Sequence, residues 1–415
     1  MKFDNIIIGG GLSGLVSGIT LAKAGRRVAI IAAGQSTLHF ASGSFDLLGY
    51  DGEGNVVDHP LEAIASLPET HPYKKIGANR IADLATEAAA LLAECGLQTK
   101  GCMEQNHYRL TPLGTLKPAW LTLKDYLTTD SLDTLPYRKV LLVNIPGFLD
   151  FPTQFISDGL HRLGTVVEME YVSIPSLKHR RNSPTEMRSA NLAKILLREK
   201  KLQQIAHNVN KLKNDVEAVI MPAIVGLQTQ EALDFIRSKV QKPLHFIATL
   251  PPSVPGVRVQ TLLRKYFSSL GGIYLLGNTV KGGTISDGRL IDVETTLLPD
   301  ERLTADEFIL ASGSFQSDGL KSNYERIYEP IFDLDLDADK ERAAWVSPSV
   351  FDAQPYMEYG VRTNERLQVQ KNGQTIENLY AVGSVLSGHN AIKLADGTGV
   401  SLLTALAVAK DILKN

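Results

Sequence analysis

Apolar residues near the start of the chain form two short runs separated by a stretch with helical spacing. Residues 5–8 read Asn-Ile-Ile-Ile, a run typical of a buried strand, and residues 28–33 form a second run of this kind. Between them, small and apolar residues share one face over Leu15–Ala24, which predicts a helix that ends at Gly25. We therefore expect the chain to open with a β–α–β unit.

A glycine-rich turn joins the first strand to the first helix, with the spacing of a dinucleotide-binding turn at Gly9, Gly11 and Gly14. In such a turn Gly9 allows the sharp change of direction, Gly11 lets a pyrophosphate approach the backbone, and Gly14 lets the helix pack closely. The free N–H groups and the dipole of the helix then face the phosphates, which adds Leu12 and Ser13 to the predicted cofactor contacts. We also expect Gly11 to have a positive φ, a conformation that excludes a β-branched side chain.

Strand and helix patterns continue to alternate along the chain. Predicted helices cover 76–98, 153–163, 186–201, 230–240, 257–270 and 401–413. Predicted strands cover 139–145, 166–174, 217–221, 245–250, 273–276, 305–313 and 375–383. A hairpin is expected to turn at Asp287-Gly288.

The order of these elements predicts an α/β fold, namely a Rossmann-type two-domain flavoprotein with a mixed parallel sheet and an inserted α/β region. The flavin-binding domain is expected to combine residues 1–50 and 305–415, with 250–304 returning to it as a helix and a hairpin. Residues 51–249 are expected to form the inserted substrate or interface domain.

Several small or hydroxyl-bearing residues follow strand ends or open the last helix, where they would surround a flavin. The predicted contacts beyond the first turn are Ala33, Ser36, Ser42, Gly43, Ser312, Gly313, Gly383, Ser384, Gly397, Thr398 and Gly399. Small residues beside the flavin ring leave its face open, and the dipole at the start of the last helix would stabilise the reduced ring.

Two carboxylates that flavin-binding Rossmann units use are absent. The second strand ends at Ala32 or Ala33, where an acid would bond the adenosine ribose, and Ser384 takes the place of an acid that bonds the ribityl chain. No basic residue stands there to indicate a 2′-phosphate. The ligand is therefore either held by other contacts or shorter than FAD.

Composition excludes several classes of function. The chain has 415 residues, 44% of them hydrophobic and 21% charged, with a net charge of −2, which gives no electrostatic footprint for nucleic acid. Two cysteines, Cys95 and Cys102, form neither a disulfide framework nor clustered metal-ligand spacing, so we expect no metal site and an intracellular location. No uninterrupted apolar run approaches about 20 residues, so any membrane association is expected to be peripheral or through a partner.

Longer motifs resemble one family over nearly the whole chain. They are residues 1–4 leading into 9–15, then 34–48, 71–73 (His-Pro-Tyr), 111–116, 250–254, 310–315 and 373–379. These segments resemble the B-subunit family of anaerobic glycerol-3-phosphate dehydrogenases. The resemblance implies a flavoprotein with FMN that oxidises sn-glycerol 3-phosphate to dihydroxyacetone phosphate.

The resemblance also implies partners and a location. It implies pairing with a larger, FAD-bearing catalytic subunit. It further implies an iron–sulfur subunit that anchors the pair at the cytoplasmic face of the inner membrane. Electrons would pass to quinone for fumarate or nitrate respiration.

The cofactor and the catalytic residues stay open at this point. FMN lacks an adenosine ribose and would not need the missing acid, but the turn has the shape for a pyrophosphate, so FAD is the alternative. A non-catalytic scaffold with a decayed flavin site and a free-standing flavin oxidoreductase are the other candidate functions. Arg109, Lys117, Arg258 and Arg264 are available to clamp a substrate phosphate, and the sequence selects none of them.

Overall fold

Helices and strands alternate along most of the chain, as the periodicity predicts. The structure is a computed structural model that describes residues 2–178, 180, 183, 185–212 and 215–414. The α-helices are α1 (Leu12–Lys23), α2 (Pro60–Ile64), α3 (Pro72–Lys75), α4 (Ile81–Glu94), α5 (Thr153–Arg162), α6 (Ser189–Ile195), α7 (Glu199–Asn210), α8 (Glu231–Lys239), α9 (Val254–Ser269) and α10 (Gly397–Lys414). The strands are β1 (Lys2–Ile8), β2 (Val28–Ala32), β3 (Ser44–Phe45), β4 (Thr99–Lys100), β5 (His107–Leu110), β6 (Leu116–Ala119), β7 (Leu121–Leu123), β8 (Thr128–Thr129), β9 (Lys139–Asn144), β10 (Val166–Tyr171), β11 (Ala218–Pro222), β12 (Leu244–Ile247), β13 (Ile273–Leu276), β14 (Val280–Ser286), β15 (Arg289–Thr295), β16 (Leu303–Leu310), β17 (Lys321–Ser322), β18 (Ile327–Tyr328), β19 (Leu336–Asp337), β20 (Gly360–Val361), β21 (Gln368–Lys371) and β22 (Gln374–Ala381).

The chain divides into two compact units. Unit 1 contains Met1–Thr37, Asp46–Leu91 and Leu263–Asn415, and unit 2 contains Leu38–Phe45 and Leu92–Leu262. Unit 1 therefore takes in the whole stretch from 51 to 91, which the sequence predicted to lie in the inserted domain.

A mixed sheet of eight strands forms the centre of unit 1. Strands β13, β2, β1, β16 and β22 are parallel neighbours in that order, β15 and β14 continue the sheet antiparallel, and β21 pairs antiparallel with β22. Ile8 lies opposite Ile31 on one side and Leu310 on the other, so three parallel strands end at one edge. The carboxyl edge of such a sheet is where nucleotide ligands bind in this class of fold.

Helix α1 is buried along most of its length between the sheet and the last helix. The Ser17 hydroxyl donates to the backbone oxygen of Ala405 in α10 at 3.4 Å. On the sheet side, a Cβ at Gly18 would come within 2.8 Å of the Ile30 side chain. The small residues of α1 are therefore explained by close packing on both sides.

Unit 2 is built around a second parallel sheet. Its strand order is β10-β9-β11-β12, and two small antiparallel sheets, β3-β7-β4 and β6-β5-β8, complete the unit. The strands of the parallel sheet correspond to the predicted runs at 139–145, 166–174, 217–221 and 245–250, each close to the predicted bounds. The α/β fold class with a mixed parallel sheet is thus confirmed.

One predicted helix is wrong. The stretch 186–201 contains the whole of one helix and the start of another, because α6 ends at Ile195 and α7 begins at Glu199. Arg198 between them is extended, with φ −90° and ψ 120°, while Leu196 is buried. Leu196 is buried where α6 ends, and no glycine or proline stands between the two helices, so no breaker in the sequence marked the boundary.

Candidate functional site

The turn after β1 has the sharp geometry that its glycines predict. Gly9 has φ +118°, and its N–H donates to the Ile31 oxygen at 2.9 Å. A Cβ at Gly9 would overlap the backbone oxygen of Ala311, and a Cβ at Gly14 would overlap the backbone oxygen of Gly9. The protein's own backbone therefore requires glycine at both positions.

Gly11 differs from its two neighbours in the motif. Its φ is −82° and its ψ is −164°, so the positive φ expected for it is wrong and the backbone there permits any side chain. The nearest atom to a Cβ at this position, within 4 Å, is the Cβ of Ser36 at 3.8 Å. Packing within the protein does not explain a glycine at 11, whereas a phosphate that approaches the backbone from this open side does.

The start of α1 is suited to an anion. Gly11 is the capping residue, no side chain caps the helix, and the first turn contains no acidic residue. The first N–H groups of a helix have no partner within it, and the helix dipole adds positive potential. Leu12 and Ser13 are buried in this turn, so a ligand phosphate would meet their backbone N–H groups in a protected setting.

Two distant segments meet the first turn at the same sheet edge. Gly383 has φ +73°, and a Cβ there would overlap the hydroxyl of Ser13. Ser384 lies next to Gly313, since its Oγ is 3.7 Å from the Cβ position of that glycine. The Ser312 Oγ is buried and has no hydrogen-bond partner among the described residues. Residues predicted from three parts of the chain thus converge, with one hydroxyl left for a ligand.

The start of α10 contacts the segment around Asp46. The Thr398 hydroxyl accepts from the Asp46 N–H at 2.6 Å, and the Gly399 N–H donates to the Asp46 oxygen at 2.8 Å. A Cβ at Gly399 would also overlap the hydroxyl of Tyr73. These bonds fix the first turn of α10, next to Gly397, and the predicted flavin contact of the three residues stays a prediction.

Two histidines hold the residue before α10 through one buried carboxylate. Asp396 lies 2.9 Å from the Nε2 of His71 and 3.2 Å from the Nδ1 of His389, and all three side chains are almost fully buried. The histidine contacts and hydrogen bonds hold the pKa of Asp396 well below its usual range despite burial, and burial lowers the pKa of His71. The preceding Ala395 has φ +48°, a strained conformation for alanine.

The sequence alone does not reveal this cluster, because His71 lies 325 residues before Asp396. The His-Pro-Tyr run and the Asp-Gly-Thr-Gly run at Asp396 are each ordinary in isolation. The available signals in the sequence were His71 in the His-Pro-Tyr motif and Asp396 beside the glycines that open the last helix.

Polar groups stand near the end of β2, where an adenosine ribose would lie. Ala33 is exposed and provides no hydrogen-bonding side chain. The Tyr274 hydroxyl donates to the Gly10 oxygen at 3.1 Å, and the Arg264 guanidinium lies 5.5 Å from the centre of the Tyr274 ring. Hydrogen-bonding groups are therefore present at this end of the site even without the acid.

Ser42 and Gly43 belong to unit 2, whereas the other predicted contacts belong to unit 1. Gly43 has φ +86°, and the Ser42 oxygen accepts from the Tyr126 hydroxyl at 2.5 Å. The Oγ atoms of Ser42 and Ser44 lie 2.9 Å apart, and the Nε of Arg109 donates to Ser44 Oγ at 2.6 Å. Within unit 2 these residues form one polar cluster.

Two kinds of feature are absent from the part of the chain that the structure describes. Within it, no three His, Cys, Asp or Glu side chains are grouped so as to hold a metal ion. No helix in these residues combines the length and apolarity needed to span a bilayer.

Comparison with known proteins assigns the chain to a family. A family model described as an FAD binding domain matches residues 4–400. The chain is 40% identical to the anaerobic glycerol-3-phosphate dehydrogenase B-subunit of Yersinia pseudotuberculosis, over 100% of this chain and 98% of that protein. It is 37% identical to the corresponding B-subunit of Haemophilus influenzae, over the full length of both.

Among solved structures, the chain is similar to the open conformation of a flavocytochrome c3 fumarate reductase. The identity is 8% and the TM-score 0.45, and the match covers 100% of this chain and 78% of that one.

The full-length identity and the matched flavin-binding domain confirm the expectation of a flavoprotein belonging to a dehydrogenase. The chain is a member of the B-subunit family of anaerobic glycerol-3-phosphate dehydrogenases.

Proposed function

We propose that this chain is the flavoprotein subunit of a quinone-linked glycerol-3-phosphate dehydrogenase. In this reaction the secondary alcohol of sn-glycerol 3-phosphate loses two electrons and two protons and becomes the ketone of dihydroxyacetone phosphate. The electrons then travel through partner subunits to the quinone pool. The observation that carries the proposal is the open side of Gly11 at the uncapped start of α1, in a chain of this family.

We propose that the cofactor is FAD. The description of the matched family model favours FAD, and the first turn has the spacing that suits a pyrophosphate. Tyr274 and Arg264 offer polar groups near the end of β2 in place of the missing acid. FMN is the second candidate, because Ala33 leaves the ribose position without a carboxylate.

The residues already described would hold the cofactor in distinct ways. The backbone at Gly11, Leu12 and Ser13 would bind the phosphates, and the hydroxyls of Ser312 and Ser384 would bond the polar chain of the cofactor. When bound, the flavin would serve as the acceptor of two electrons from the substrate carbon.

The partners we propose are an FAD-bearing catalytic subunit and an iron–sulfur subunit, which would hold the complex at the cytoplasmic face of the inner membrane. The names of the relatives, each the B-subunit of a dehydrogenase, support a multi-subunit complex. Transfer of electrons to quinone through the iron–sulfur subunit would explain how an oxidation in this chain is linked to anaerobic respiration.

Two measurements on purified material test the proposal. The first is the visible spectrum of the full chain, followed by chromatography and mass identification of the released chromophore, with FAD as the expected result. The second is oxidation of glycerol 3-phosphate, with a quinone analogue as acceptor, by the chain co-expressed with both partner subunits.

Each alternative predicts a different outcome. A colourless chain that takes up neither FAD nor FMN would favour a scaffold with a decayed site, consistent with the missing acids. Turnover of glycerol 3-phosphate with a dye by the chain alone would favour a free-standing oxidoreductase.

A further inference from the structure

Unit 2 contains a buried arginine without a counter-ion. Arg258 lies in α9 and is only 2% exposed, yet none of the ion pairs among the described residues includes it. Its Nη1 donates to the Gly226 oxygen at 3.4 Å, and its Nε has no hydrogen-bond partner among those residues. Burying a guanidinium without an anionic partner is costly. A buried guanidinium of this kind therefore indicates a binding site for an anionic ligand.

A second buried arginine of unit 2 is in the same situation. Arg109 in β5 is 5% exposed and is in none of the ion pairs among the described residues. Its hydrogen bond to the protein uses Nε and reaches Ser44 Oγ at 2.6 Å. The two terminal nitrogens, which form the fork that binds oxyanions, are therefore left for a ligand.

The charges of both guanidinium groups reach Tyr126, which packs near the start of α9. Burial raises the pKa of its phenol, and the positive charges of Arg258 and Arg109 act against that rise. The packing agrees, since a Cβ at Gly43 would lie 3.2 Å from the Tyr126 hydroxyl and 2.8 Å from Pro255, which is one turn before Arg258 on α9. Both positive charges thus act on one small region around this tyrosine.

The buried acid whose charge acts on Arg258 is already engaged. Asp125 attracts Arg258 at a distance, but its Oδ1 lies 3.0 Å from Arg237 and its Oδ2 accepts from Gln230 at 3.0 Å. Its negative charge is therefore largely balanced by Arg237. The region around Tyr126 keeps an excess of positive charge.

We propose that Arg109 and Arg258 form a binding site for a phosphate monoester, with the hydroxyls of Ser42 and Ser44 as further hydrogen-bonding groups. Two guanidinium groups match the two negative charges of such a dianion, and their planar forks suit its oxygens. The assignment of this anion as the phosphate of glycerol 3-phosphate rests on the proposed function. The anion site itself rests on the two uncompensated charges.

Calorimetric titration of the full chain tests the site. The ligands are inorganic phosphate, glycerol 3-phosphate and glycerol, and the variants are Arg109→Met, Arg258→Met, Arg258→Lys and the control Lys265→Met, an exposed residue of the same helix. We expect both phosphate compounds to bind and glycerol to give no heat. Each Met variant of an arginine should weaken phosphate binding at least about tenfold, as expected for loss of a charge-assisted pair, while Lys265→Met should not change it.

The thermal stability of the variants without ligand distinguishes a role in phosphate binding from a structural role. Arg258→Met removes a buried charge that has no partner, so its thermal midpoint in phosphate-free buffer should equal or exceed that of the unaltered chain. Arg258→Lys should keep part of the binding. Arg109→Met gives the same comparison if Arg258→Met does not fold.

Two results would overturn the site. One is wild-type phosphate affinity in both Arg109→Met and Arg258→Met, and the other is absence of phosphate binding by the unaltered chain. Phosphate binding without oxidation of glycerol 3-phosphate by the complex would retain the anion site and reject the proposed function. An unchanged KM in a complex that carries Arg258→Met would retain the function and reject the assignment of this site to its substrate.

Discussion

The glycines of the first turn should respond to substitution in opposite ways. Gly9 has φ +118°, and a Cβ there overlaps the Ala311 oxygen, so Gly9→Ala combines backbone strain with overpacking. Together these should cost about 2–6 kcal/mol of folding free energy. Gly11→Val places its side chain in open space at φ −82°, so the free energy of unfolding should change by no more than about 1 kcal/mol.

The flavin should respond in the reverse order. The Val side chain at position 11 would occupy the space where a phosphate meets the backbone. An overlap of that kind costs about 1–3 kcal/mol, which corresponds to a loss of flavin affinity of roughly 10- to 100-fold. Gly9→Ala should bind flavin whenever it is folded, because its Cβ points at Ala311 rather than at the ligand.

The assay pairs urea unfolding with the dissociation constant for flavin, measured by titration of each apoprotein. Gly52→Val serves as a control, because that glycine also has open surroundings and no positive φ. A folded Gly11→Val chain that binds flavin as tightly as the unaltered chain would refute the reasoning. So would a Gly11→Val chain that loses as much stability as Gly9→Ala.

Three other predictions concern substitutions at His71, Ala33 and Tyr274. The pKa of buried His71 is lowered in the folded state, so acidification below about pH 6.5 protonates the unfolded chain first and reduces stability. His71→Gln should therefore flatten the fall in unfolding free energy between about pH 7 and 5.5. An unchanged slope in that range would contradict this prediction. Ala33→Glu should raise affinity for FAD but not for FMN in titrations of the apoprotein, since only FAD has the ribose that the new acid would bond; equal gains for both flavins would count against the placement. Tyr274→Phe removes the hydrogen bond to the Gly10 oxygen and should lower the free energy of unfolding by about 1 kcal/mol in urea titrations, with no loss at all as the contrary result.

Local patterns predicted the first β–α–β unit well because its constraints are local. The positive φ at Gly9 and the packing of Gly14 against Gly9 both follow from the motif itself, whereas the contact of Gly9 with Ala311 does not. The positive φ expected at Gly11 was wrong because the chain turns at Gly9 and is already entering α1 at Gly11. The reason for glycine at 11 is therefore the open space and not the backbone conformation.

Features that depend on distant residues could not be predicted from the sequence. Asp396 meets His71 across 325 residues, and no local pattern marks either as a partner of the other. Four basic residues appeared equivalent as phosphate clamps in the sequence. Burial distinguishes them, because Arg109 and Arg258 are almost fully buried whereas Arg264 is exposed.

The most direct test of the account is the flavin content of the full chain purified under native conditions. We expect a yellow protein that releases close to one FAD per chain, and a folded Gly11→Val variant that binds FAD roughly 10- to 100-fold more weakly. A folded, colourless wild-type chain that takes up neither FAD nor FMN on titration would contradict it.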